Sequence, residues 1–198
     1  MAANTYLTPE ERTLLESVRV GIAGAGGLGS NCAMHLVRSG VKHITIADFD
    51  VVNESNLNRQ FFFRDQLGQK KVVALKDNLL RIEPDADIRA VDIRLDASSA
   101  REVFADCGIV VEAFDAVDVK VMLVSAFASS GKKLVTASGL AGWGRSNAMK
   151  VRKMGNIVAI GDGETSVGDG AAPVSPRVGI AAAMEANSVV AMLLEKEL

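Results

Sequence analysis

The chain has 198 residues, is 48% apolar and 23% charged, and carries a formal charge of −2. That length suits one domain with a sizeable core, and the charge balance gives no electrostatic reason to expect nucleic acid or an anionic membrane as partner. Two cysteines, Cys32 and Cys107, exclude a four-thiolate zinc site and argue against a disulfide framework, while the absence of a signal-like core or a run near ~20 apolar residues predicts a soluble cytoplasmic protein.

Thr8-Pro9-Glu10-Glu11 reads as a helix start, with Thr8 as cap, Pro9 in the first turn and Glu11 completing a capping box. The helix runs to Ser17, so residues 1–17 form an N-terminal helical arm. Val18 to Ala23 is a short apolar run, read as a buried strand. Gly27 to Ser39 is helical with Gly40 as its stop, and His43 to Ala47 reads as the next strand. Apolar positions at Leu67, Val72, Leu75, Leu79 and Ile82 predict a helix over Asp65 to Arg81. Ile88 to Leu95 alternates like a strand, Ser98 to Ala105 is a short helix, and Gly108 to Ala113 is a core strand. Val117 to Ser129 is a helix and Lys133 to Ala137 a strand. This alternation predicts an α/β fold with a mostly parallel, Rossmann-like sheet flanked by helices. After Gly139 the pattern changes. Ala148 to Lys153 and Ile157 to Ile160 read as a hairpin around Gly155-Asn156. Gly161 to Ser175 reads as a loop, and Pro176 to Leu194 as an apolar helix, half buried or at a subunit interface. No linker for a second domain is visible, so residues 1–198 read as one unit.

Gly24-Ala25-Gly26-Gly27-Leu28-Gly29 fits G-x-G-x-x-G between a predicted strand and a predicted helix, the context that this motif requires. Gly24 allows the tight turn, Gly26 lets phosphate or ribose approach the main chain, and Gly29 lets the helix pack on the strand. The free amides at the helix start, from Gly27 onward, suit an anion. Asp48 ends the next strand, where an acid can accept from ribose hydroxyls; Asp50 lies two residues on. The motif alone does not separate NAD from ATP.

Further groups follow. Asn56 and Arg59 are three apart, so one turn of chain can aim both at a ligand, and an arginine offers a planar fork for phosphate oxygens. The alternative is a turn-capping asparagine and a surface arginine. Lys71 opens the predicted helix as a point charge for phosphate, with Lys70 as a competing candidate. Asp115 follows the apolar strand at a carboxyl end of the sheet, where it can hold magnesium with phosphate oxygens or cap the following helix. His35 and His43 are too isolated for a metal cluster. Cys107 reads as core, and Trp143 as a residue that shields a pocket or packs.

Taken together, Gly24 onward, Asp48-Phe49-Asp50, Asn56-Leu57-Asn58-Arg59-Gln60, Lys71 and Asp115 resemble the ThiF/MoeB-type adenylyltransferases, relatives of ubiquitin-activating enzymes. The likeness is greatest to the short ThiF-like branch, in which Gly139-Leu140-Ala141-Gly142 also recurs. It implies ATP-dependent adenylation of the C-terminal glycine of a ubiquitin-like sulfur carrier ending in Gly-Gly, with a ThiS-like partner in thiamine biosynthesis. It further implies that the glycine turn holds ATP, Asp48 holds ribose, Asn56, Arg59 and Lys71 contact phosphates, and Asp115 positions Mg2+. Arg12 is the loose match to an arginine supplied across a dimer, so a homodimer is expected. The two Cys-x-x-Cys pairs of many relatives are missing, so no zinc is expected. No cysteine lies in Gly161 to Ser175, which implies a chain that stops at adenylation. Ala116 stands where relatives often carry asparagine. The competing readings are an NAD-binding oxidoreductase, for which no tyrosine–lysine pair or zinc cluster is present, and a non-catalytic module that docks a carrier.

Overall fold

A computed structural model describes residues 6–128, 130–165 and 170–198. In chain order it holds α1 (Pro9–Ser17), β1 (Val20–Ala23), α2 (Gly27–Ser39), β2 (His43–Asp48), α3 (Lys71–Leu80), β3 (Asp87–Asp92), α4 (Ala97–Val103), β4 (Ile109–Glu112), α5 (Val117–Ala128), β5 (Lys133–Ala137), β6 (Lys150–Met154), β7 (Ile157–Gly161) and α6 (Ser175–Leu193). The seven strands form one sheet in the order β3-β2-β1-β4-β5-β7-β6. Six run parallel; β6 returns antiparallel beside β7. This is the Rossmann-like α/β architecture expected from the alternation.

The central strands β1 and β4 are buried along their whole length, as expected where helices cover both faces, whereas the edge strand β3 is mostly exposed or half-buried. Ile22, Ile44, Ile46, Val111 and Val135 join the core beneath α2, α3 and α6. Val110 and Leu134 join Phe104, Leu123 and Phe127 beneath α4 and α5. The order reverses between β1 and β4, so the loops leaving their carboxyl ends part there and open a crevice.

Local chemistry sets the boundaries. Thr8 and Glu11 form the expected capping box of α1. Gly40, at φ 104°, ends α2 as expected. The helix expected over Asp65 to Arg81 begins later, at Lys71. Residues 64–66 form a 3-10 turn, and Gly68, at φ 82°, then turns the chain back so that its amide bonds Val52. The apolar spacing is real, but Leu67 belongs to this turn and not to the helix. Of the predicted loop over 161–175, residues 166–169 lie outside the described residues.

The C-terminal helix finds its cover within the chain: α6 packs along α2, with Ala181, Ala182, Ala186 and Val189 buried. On α5, by contrast, Val117 and Val121 are exposed. Among the described residues no helix is long and apolar enough to cross a membrane. At the free edge, all five residues of β6 are exposed, and Arg152 donates to the Gly161 carbonyl at 3.1 Å.

Glu185, on α6, is fully buried with neither oxygen partnered among the described residues. Burial, and then the negative charge of Glu112, push its pKa well above the ordinary 4.5. The folded state therefore holds this proton more tightly than the unfolded chain. Its contribution to stability is greatest below pH 4.5 and falls as pH rises toward the folded value. Glu185→Met, similar in length and apolar, is expected to stabilise the protein by ~1–3 kcal/mol, the scale of relieving an unsatisfied buried group. Urea unfolding should show a larger gain at pH 8 than at pH 5.

Candidate nucleotide site

Everything in the site hangs from the turn after β1. Gly24 takes φ 103° and donates its amide to the Ala47 carbonyl at 2.8 Å, tying the turn to the end of β2. A β-carbon on Gly29 would stand 1.8 Å from the Gly24 carbonyl oxygen, so α2 reaches the strand only with glycine there. Above Gly26 the nearest atom to such a carbon is Gln60 Nε2 at 3.9 Å, which leaves the main chain open to a ligand. No side chain caps α2 at Gly26. Its first amides thus keep their donors for an anion, with the helix dipole in support.

Asp48 ends β2, 7% exposed, with one oxygen accepting from the Ala25 amide (2.6 Å) and the other from the Asp50 amide (2.8 Å). These bonds hold the carboxylate against the glycine turn and leave lone pairs for further donors. Phe49 lies beside it, with the Arg94 guanidinium 3.8 Å over its ring.

The loop after β2 is stitched to α2. Ser30 Oγ accepts from the Phe61 amide at 3.0 Å, and Asn31 Nδ2 donates to the carbonyls of Gly27 (2.7 Å) and Arg59 (2.8 Å). Arg59 is thereby laid across the glycine turn: its Cγ is 3.5 Å from where a β-carbon of Gly27 would be. Its guanidinium bonds the Ser55 carbonyl and Asn58 Oδ1, both close in sequence. Asn56 is buried, and its Oδ1 accepts from the Asn53 amide at 2.9 Å, capping a 3-10 turn over Glu54–Asn56.

Lys71 and Lys70 part company. Lys71 is buried at the start of α3, its ammonium 2.8 Å from the half-exposed Asp50 carboxylate. Lys70 pairs with Asp92 at 3.2 Å and donates to the Phe49 carbonyl. Asp115 stands exposed in the turn after β4. Its carboxylate takes no hydrogen bond among the described residues, and the first helical amide bond of α5 runs from Lys120 to the Ala116 carbonyl. The capping role is therefore not seen. A lone carboxylate facing solvent is a group that would hold a divalent cation, which would supply neutralisation of phosphate charge. Among the described residues, no group of three His, Cys, Asp or Glu could hold a metal by itself.

Arg12 lies on α1, which leads into the amino-terminal end of β1; the glycine turn leaves the opposite end. Glu16, on the same helix, pairs with Lys42 before β2 at 3.2 Å. Both cysteines are buried and unpaired. Burial raises the thiol pKa of Cys107 to about 11 and that of Cys32 well above its usual range, so neither offers a thiolate at neutral pH. Trp143 is 75% exposed and does not pack in the core.

Two buried charge pairs near the carboxyl edge had no sequence signal. Asp162 and Arg177 are 1% and 3% exposed and pair directly, and Arg177 also donates to the Gly144 carbonyl at 2.6 Å. Glu112 pairs with Lys120 from the far side of the turn that carries Asp115.

The model of the ThiF family matches residues 3–198. The adenylyltransferase and sulfurtransferase UBA4 of Yarrowia lipolytica is 31% identical over 180 residues, 87% of this chain and 46% of that protein. The molybdopterin-synthase adenylyltransferase of Salmonella typhimurium is 38% identical over 112 residues, 56% of this chain and 45% of that protein. The E. coli tRNA N6-threonylcarbamoyladenosine dehydratase TcdA, solved in complex with ATP, superposes with a TM-score of 0.86 at 20% identity, over 94% of this chain and 90% of that one, a likeness of fold. The chain spans between 29% and 46% of the length of the curated relatives it matches most strongly.

Proposed function

The chain belongs to the ThiF family, and from that premise we propose that it is an ATP-dependent adenylyltransferase acting on the C-terminal glycine of a ubiquitin-like sulfur carrier. The acceptor carboxylate attacks the α-phosphate of ATP; the acyl-adenylate forms and pyrophosphate leaves. A carboxylate is already a nucleophile, so no general base is needed, and catalysis reduces to alignment and neutralisation of charge on the phosphates.

The observation that carries this reading is Arg59 laid over Gly27 at the uncapped start of α2. It brings the stem of an arginine, Cγ 3.5 Å and Cδ 3.7 Å from where a β-carbon of Gly27 would be, beside free amides, an arrangement a dinucleotide fold has no need of. In this reading Gly24, Gly26, Gly27 and Gly29 form the phosphate turn and Asp48 binds ribose. Asn56, Arg59 and Lys71 bind phosphates, with Asp50 steadying Lys71. Asp115 would hold Mg2+, which when bound neutralises phosphate charge. Residues 1–198 act as one adenylyltransferase domain in the cytoplasm. The partner is a ThiS-like carrier ending in Gly-Gly, in thiamine biosynthesis. A homodimer, with Arg12 reaching the neighbouring site, completes the reading. With both thiols buried, sulfur comes from another protein.

ATP–pyrophosphate exchange tests it. Exchange is expected when a Gly-Gly carrier is added with saturating ATP and magnesium, and not with a carrier lacking its last glycine. Calorimetry with NAD and with ATP–magnesium separates this reading from an oxidoreductase. No exchange with any of a panel of such carriers, or binding of NAD in preference to ATP, would overturn it.

A further inference from the structure

We infer that Glu112 is a positioning residue for Asp115: its buried carboxylate ties together both ends of the turn between β4 and α5, and so sets the direction in which Asp115 leaves that turn. This rests on the reading of Asp115 as the magnesium-bearing group.

A carboxylate in the middle of a parallel sheet is costly unless its lone pairs are used. Glu112 is fully buried at the end of β4, and it is well provided for. Oε1 accepts from the Phe114 amide at 2.8 Å; Oε2 accepts from Lys120 Nζ and from Thr136 Oγ1, each at 2.5 Å. The placement of these partners matters more than their number. Phe114 immediately precedes Asp115. Lys120 lies in the first turn and a half of α5, on the other side of it. Thr136 sits on β5, the neighbouring strand, in register with Glu112. One buried group thus fixes the turn before and after the exposed acid.

Asp115 has no anchor of its own among the described residues, so its carboxylate points where the backbone points it. The other side of the same turn leans on the nucleotide turn. A β-carbon on Gly24 would stand 3.0 Å from the Ala113 carbonyl oxygen and 3.3 Å from Phe114 Cδ1. The loop carrying Asp115 is therefore held between Glu112 and the phosphate-binding glycines. An acid that shares a cation with phosphate oxygens has to be placed to within about 0.5 Å, and supporting groups commonly supply that precision.

The test is ATP binding to the purified protein by calorimetry, in EDTA and in magnesium, with thermal melts alongside. Wild type is expected to bind ATP more tightly in magnesium. Glu112→Gln presents an amide N–H to Lys120 and frees that end of the turn. Its affinity in EDTA is expected to stay within about twofold, while the magnesium-dependent gain falls about 10-fold or more, the scale seen for groups behind a metal ligand. Lys120→Met should do the same and Lys120→Arg should restore most of the gain. In an Asp115→Ala background, Glu112→Gln should change the gain no further, because both act through one group. Should Glu112→Gln fail to fold, the two Lys120 variants decide the question. A full magnesium gain in Glu112→Gln and Lys120→Met would overturn the proposal, as would equal losses in EDTA and magnesium, or additive losses with Asp115→Ala. A wild type with no magnesium gain would overturn the reading of Asp115 itself, a result distinct from unaffected variants.

Discussion

Arg59→Ala is expected to lower ATP–pyrophosphate exchange by about 100-fold, the scale of losing a preorganised charge-stabilising donor, with the melting temperature unchanged. The structure separates the two effects. Among the described residues the guanidinium bonds near neighbours, the Ser55 carbonyl and Asn58 Oδ1, and no buried apolar contact depends on those bonds. What fixes Arg59 is its backbone: its carbonyl is held by Asn31 from α2, and Asn31 also grips Gly27. The anchor survives the substitution, so the loss should be chemical. Lysine at 59 should recover little, because a single ammonium does not reproduce a planar fork. Exchange at wild-type rate in Arg59→Ala would show that the phosphates lie elsewhere.

Asp162→Ala is expected to destabilise the protein by ~3–5 kcal/mol, the usual cost of removing one partner from a buried ion pair. Arg177 would be left almost fully buried with a charge and with an Nε that has no partner among the described residues. The loss reaches further than one pair. The other oxygen of Asp162 accepts from the amides of Glu164 and Thr165, each at 2.9 Å, and Arg177 holds the Gly144 carbonyl. Two loops at the sheet's carboxyl edge and the start of α6 are thus joined at one point. Burial works to raise the Asp162 pKa, but the Thr165 and Glu164 amides and Arg177 outweigh it and lower the value from 3.8. The pair's contribution is therefore present above pH 3.8 and is lost as pH falls through the lower folded value. Urea unfolding at pH 7 and at pH 3 should show the gap between wild type and Asp162→Ala narrowing in acid. A difference under 1 kcal/mol at pH 7 would show that the pair adds little.

The strand, glycine turn and helix were legible because their chemistry is local. Glycines, a strand before and a helix after lie within twenty residues, and α2 has the bounds expected from Gly27 and Gly40. The same holds for the capping box of α1 and the hairpin of β6 and β7. Asn56, Lys71 and Asp115 could be picked out as candidates from residue type and position, with roles implied by resemblance, but their surroundings could not be read. That Asn56 caps its own turn and that Lys71 is buried against Asp50 depends on where the loop folds back, and Gly68 decides that. The helix expected from Asp65 failed at the same place: hydrophobic spacing persists through a turn that backbone geometry has broken. Glu112 with Lys120 and Asp162 with Arg177 had no pattern to betray them. A charge within an apolar run looks like an interruption until its partner, eight or fifteen residues away, is seen to face it. Ser30 and Asn31 were hidden in the same way, as small polar residues on a helix otherwise read for its apolar face.

The outermost strand bears on how this protein behaves when concentrated. Among the described residues β6 pairs on one side only, so its other side presents amides and carbonyls of the kind along which molecules add to one another strand by strand. Lys150, Arg152 and Lys153 lie along it. A second copy approaching that margin would bring like charges together, which keeps the sheet from growing into a fibre.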